Sequence, residues 1–152
     1  MADSNYLAAR LLSAFGLIAA GMLIAATLAP SASRARQRNL DLSLERVTDH
    51  GVFHIQLKSG LDPIQISKVH QWSLHMSGAD GVPVTGANIA IDGGMPEHGH
   101  GLPTAPRVAA AVGPGNYVIN GMKFSMTGWW VLKLDVNATD GRADTMTFNL
   151  VL

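Results

Sequence analysis

The chain has 152 residues, 47% of them hydrophobic, which suits one small domain with a core of its own plus one apolar segment and argues against a second domain. Its formal net charge is zero and it contains no cysteine, so disulfides, zinc–thiolate sites, iron–sulfur clusters and thiol catalysis are excluded. Residues 1–39 hold four Arg against one Asp, whereas residues 40–152 hold seven Lys/Arg against ten Asp/Glu; a mildly acidic domain behind a basic flank argues against a nucleic-acid partner.

In chain order, a short polar start gives way at Leu11 to a run of 19 residues, 11–29, without a charge. At the helical rise this run spans roughly 28 Å, close to the hydrocarbon thickness of a bilayer, and predicts one N-terminal transmembrane helix. The competing reading is a cleaved secretory signal, since Ala29-Pro30-Ser31-Ala32 supplies small residues after the apolar run, but the run exceeds the usual signal core. Arg34, Arg36 and Arg38 would by themselves keep that flank in the cytoplasm. The β-rich, methionine-bearing domain that follows makes better sense outside, and Arg10 with the terminal amine supplies opposing charge. Residues 1–39 are therefore expected to be a membrane anchor with a basic flank, and residues 40–152 a single domain facing the periplasm from a bacterial inner membrane, or released there if the segment is cleaved.

After a polar linker over residues 30–50, apolar side chains recur with a period of two. Phe53, Ile55 and Leu57 share one face of a first strand; His70, Trp72, Leu74 and Met76 share one of a second; Ala87, Ile89 and Ile91 give a third that ends at Asp92. Val108 to Val112 suggest a short fourth, and Tyr117 with Ile119 a fifth. Trp130, Leu132, Leu134 and Val136 form the inner face of a sixth, and Met146, Phe148, Leu150 and Leu152 that of a seventh. Glycine, proline and aspartate punctuate the runs, and no helical period appears after residue 40. The expected fold is all-β, an immunoglobulin-like sandwich of about seven strands, with Trp72, Ile89, Trp130, Leu132 and Phe148 in its core.

The stretch Gly93-Gly94-Met95-Pro96-Glu97-His98-Gly99-His100-Gly101 is too glycine-rich for a helix or a central strand and reads as a functional loop. In extended backbone His98 and His100 project to one side, with Gly99 leaving the approach to a shared ion open. Met95 adds a thioether, the soft donor that suits copper(I). The alternative is a glycine-rich surface turn with two solvated histidines. Loops of a sandwich cluster at its ends, so Met122 and Met126, four apart between the fifth and sixth strands, can face this loop; methionine is also a common core gap-filler, and His75 and Met76 carry the same ambiguity. Met95, His98, His100 and Met126 form the expected copper site.

Several of these residues resemble the YtkA-like family of small bacterial membrane-associated or exported β-sandwich domains: His70-x-Trp72-x-Leu74, Met95-Pro96-x-His98-Gly99-His100-Gly101, Gly115-x-Tyr117 and Phe124-x-Met126-x-Gly128-x-Trp130. The resemblance covers roughly residues 50–152. That family's distant similarity to periplasmic copper-handling sandwiches and to an accessory protein of oxidase assembly implies metal handling, with delivery to, or assembly of, a membrane metalloprotein such as an oxidase.

Catalysis is not expected. The chain lacks the Gly-x-Ser-x-Gly elbow, the His-Glu-x-x-His helix and the phosphate-binding Gly-x-x-x-x-Gly-Lys, and Asp92 and Glu97, the acids near the histidines, have no nucleophile beside them in sequence. The other class open to the chain is a non-catalytic structural or assembly module that binds a membrane protein without metal, through an exposed edge or the Trp129/Trp130 region.

Overall fold

Alternating apolar side chains make strands that are wet on one face and dry on the other, and two such sheets bury their dry faces against each other. The computed structural model describes residues 39–152, and residues 40–152 form one compact unit. The expected anchor at residues 11–29 lies outside the described residues; among those described, no helix is long and apolar enough to cross a membrane.

Among the described residues nine strands follow in order: β1 Glu45–Val47, β2 Phe53–Ser59, β3 His70–Gly78, β4 Asn88–Met95, β5 His100–Gly101, β6 Arg107–Gly113, β7 Asn116–Met122, β8 Trp129–Asn137 and β9 Ala143–Val151. They form two antiparallel sheets, β1-β2-β3-β7-β6 and β5-β4-β8-β9. The alternation set out above selects the buried faces. Phe53, Ile55 and Leu57 of β2, Trp72, Leu74 and Met76 of β3, Trp130, Leu132, Leu134 and Val136 of β8, and Met146, Phe148 and Leu150 of β9 are all buried, as is Ile89.

The two strands beyond seven are β1 and β5, of three and two residues, too short to carry a period of their own. Tertiary bonds hold β1: Arg46 donates from Nη1 to the Thr147 carbonyl at 2.8 Å, tying the edge of one sheet to the edge of the other.

The third strand differs from expectation more deeply. It does not end at Asp92 but continues through Gly93 and Gly94 to Met95, paired with β8 on one side and β5 on the other. Glycine is needed here for close approach of backbones: a Cβ on Gly93 would collide with the Val131 carbonyl oxygen, and one on Gly94 with that of His100. The glycines that read as a loop are the floor of a crowded central strand.

At the opposite end of the sandwich the turn after β1 is fastened to β9. Asp144, whose side chain is 0% exposed, accepts the backbone N–H groups of His50, Val52 and Thr145 at 3.0, 3.3 and 2.8 Å. It also pairs with His50 Nδ1 at 2.7 Å.

Candidate metal site at the β4–β5 hairpin

The hairpin turn is built by its sequence. Pro96, with its fixed φ, suits the first central position of a type I turn; the His98 N–H then bonds the Met95 carbonyl at 3.1 Å and the Gly99 N–H bonds the same oxygen at 3.0 Å. Gly99 completes the reversal at φ 68°, the left-handed region that glycine enters without cost. His98 is thus a turn residue and His100 the first of β5, which corrects the expectation of an extended His-x-His segment. The turn nonetheless brings the two rings together, with centroids 5.8 Å apart and planes inclined by 32°. Both histidines are exposed.

Met95 and His100 are directly opposed across the β4–β5 ladder and therefore share a face. Their exposure differs sharply: Met95 is 1% exposed, so its thioether lies beneath the surface on which the imidazoles stand. The Met95 methyl reaches the loop between β7 and β8, where a Cβ added to Gly128 would meet Cε at 2.8 Å. Met126, in the same loop, is 40% exposed. Its carbonyl accepts the Trp130 indole N–H at 3.1 Å, and the His100 ring meets the Trp130 ring edge-on, 5.9 Å between centroids.

The remaining candidates separate by burial. Met76 and Met122 are core residues, as the gap-filler reading has it. His75 bonds the Asn116 side-chain oxygen at 2.9 Å on the far sheet. His70 is buried with both nitrogens engaged, Nδ1 on the Lys68 carbonyl at 3.0 Å and Nε2 accepting the Trp72 indole N–H at 2.8 Å, so neither is free for an ion. Asp92 is exposed opposite Lys133 on β8. Among the described residues, no group of three or more His, Asp or Glu is gathered as a metal would require. Beside the hairpin, an open depression of about 520 Å³ runs over the outer face of the second sheet, lined by Gly94, His100, Trp129, Lys133, Thr147 and Asn149 among others.

The YtkA-like family model matches residues 49–135, more than half of the chain and the whole of the hairpin. The chain belongs to the YtkA-like family. No curated protein matches it. A crystal structure of a DUF4426 family protein from Pseudomonas aeruginosa PAO1 is similar in fold, with a TM-score of 0.52 at 17% identity over 72% of this chain and 94% of that one. In this YtkA-like domain the residue that sequence reasoning undervalued is Trp130. Its period marked it as core, and it is fully buried, but nothing in a linear pattern says that a histidine 30 positions earlier rests on it. Gly128 was equally silent, because its approach to Met95 joins the β7–β8 loop to the end of β4, 33 positions earlier in the chain.

Proposed function

We propose that the hairpin tip binds one copper ion as copper(I), through His98 and His100 with Met95 and Met126 as thioether donors, in a non-catalytic domain that handles metal for a membrane metalloprotein. The observation that carries this is the pair of adjacent exposed imidazoles on a hairpin whose β4 strand ends in a buried methionine, Met95, paired with His100 across the ladder. With metal–nitrogen bonds of about 2 Å, two imidazoles on one ion have ring centres roughly 5–6 Å apart, and His98 and His100 are separated by 5.8 Å. Two nitrogens are too few for a four-ligand zinc site. A soft, low-coordinate ion completed by sulfur fits the donors, and without cysteine methionine is the soft side chain left. The uncharged run at residues 11–29 supports a membrane anchor, Arg10 with the terminal amine supports the periplasmic side for the domain, and the two antiparallel sheets support an immunoglobulin-like arrangement.

A second reading has one observation in its favour. Beyond Arg107, edge strand β6 exposes Ala109, Ala110 and Ala111, and Val112 is 63% exposed, an uncharged stretch of edge of the kind that accepts another strand; on that reading the domain is an assembly module without metal. Anaerobic titration of copper(I) into the full-length chain separates the two. One equivalent should bind, replacement of both histidines by alanine should abolish binding, and Met95→Leu should weaken copper(I) more than copper(II). Affinity should fall as pH drops through the ordinary histidine value near ~6.5, because only neutral imidazole ligates. An isotherm unchanged in the double-histidine variant rejects the site and leaves the assembly module.

A further inference from the structure

The four proposed donors come from two separate pieces of chain, the β4–β5 hairpin and the loop over residues 123–128, and a two-piece site is only as good as whatever keeps the pieces in register. One side chain touches both. The Trp130 indole donates its N–H to the Met126 carbonyl at 3.1 Å, and the same ring system meets the His100 imidazole at 5.9 Å with the planes at 64°.

The indole is itself braced from behind. Phe124 packs edge-on against it at 5.3 Å, and Phe124 in turn lies 6.4 Å from Trp72 and 6.1 Å from His70. The Phe124 carbonyl accepts the Ser67 N–H at 2.7 Å, so the base of the column is pinned to the loop before β3. An aromatic column thus runs from the core to the underside of the hairpin. Its top member is the indole, 0% exposed, with few rotamers open to it and one hydrogen bond that selects among them.

We propose that Trp130 is the positioning residue of the copper(I) site: its indole is the common support on which the His100 ring and the Met126 backbone are both set, so that imidazole and thioether are presented together rather than by two independently moving segments. This rests on the reading of the hairpin as a copper(I) site. Trp130 contributes no donor atom. It removes ordering that would otherwise be required on binding, and the free energy of ordering loops is a large part of what limits affinity. Trp129, the next residue, makes the contrast. It faces the other side of β8 and spends its N–H on Asn149 at 3.0 Å, so it has the same chemistry without the connection.

The test uses the full-length chain, with methionine methyl groups and histidine and tryptophan ring positions isotopically labelled, and silver(I) alone as a redox-inert stand-in for copper(I). In the parent protein the His100 ring, the Met126 methyl and the Trp130 indole N–H should shift along one titration curve. Trp130→Phe keeps an aromatic ring and loses the N–H; it should weaken silver roughly five- to tenfold, the value of one net hydrogen bond, and uncouple the Met126 methyl from the histidine response. Trp129→Phe should titrate as the parent does. A purely structural role would lower the melting temperature of Trp130→Phe and leave both resonances responding at the parent's silver concentration, which overturns the proposal. So does silver that shifts the imidazoles of the parent while the Met126 methyl stays still, a result that needs no variant to fold. If silver moves neither the histidines nor the methionines of the parent, the site itself is refuted, a different failure from loss of the Trp130 role alone.

Discussion

Removing the Asp144 carboxylate should destabilise this domain by about 3 kcal/mol. Asp144→Ala leaves the backbone N–H groups of His50, Val52 and Thr145, now accepted at 3.0, 3.3 and 2.8 Å, without their acceptor. A buried donor left unpaired costs about 1–3 kcal/mol, and the low end applies because His50 is exposed and water can reach the turn. For a domain of this size that predicts a fall in melting temperature of roughly 12 °C. The pH dependence adds a second readout. Burial pushes the Asp144 carboxyl up, but hydrogen bonds from Thr48, His50 and the Thr145 backbone outweigh it and hold the carboxyl well below the usual range. Its contribution is therefore present above the ordinary value of about 3.9 and is lost as pH falls through the depressed one. The hydrogen bond and charge of Asp144, with a smaller contribution from Asp49, raise the His50 imidazole. That contribution is present below about 6.5 and is lost as pH rises through the raised value. Thermal melts by circular dichroism should show the largest gap between parent and Asp144→Ala in mildly acid solution, narrowing toward both about pH 8 and about pH 3. A variant melting within about 4 °C of the parent, or a gap that widens from pH 6 to pH 8, refutes the reasoning.

Trp130→Ala should cost roughly 3–5 kcal/mol, since the indole is fully buried against Phe124; chemical denaturation of residues 40–152 checks this, and parent-like stability would remove Trp130 from the core. The same fragment should give a far-ultraviolet spectrum of β-structure. Protease added to intact spheroplasts should digest the domain if residues 11–29 anchor it with residues 40–152 outside, and protection until lysis would reverse that orientation.

What the sequence determined by itself was the part of the structure written in a two-residue period. Seven strands, and the inward faces of six of them, were legible because each needs only alternation in its own segment, and a single register slip would turn all of Trp130, Leu132, Leu134 and Val136 to solvent. The donors of the proposed site could be named from the sequence as well, since without cysteine methionine and histidine are the soft and imidazole donors it offers. Their arrangement was not. Gly93 and Gly94 look like a loop until β5 and β8 close on either side and leave no room for a Cβ. His98 and His100 come together through a turn rather than through strand alternation, and the exposure that separates Met95 from Met126 depends on which loop packs over each. The aromatic column beneath His100 and the buried carboxylate of Asp144 join residues 30 and 94 positions apart, His100 to Trp130 and His50 to Asp144. Such contacts have no local signature, because their free energy arises only when two sheets have packed and excluded water from the space between them.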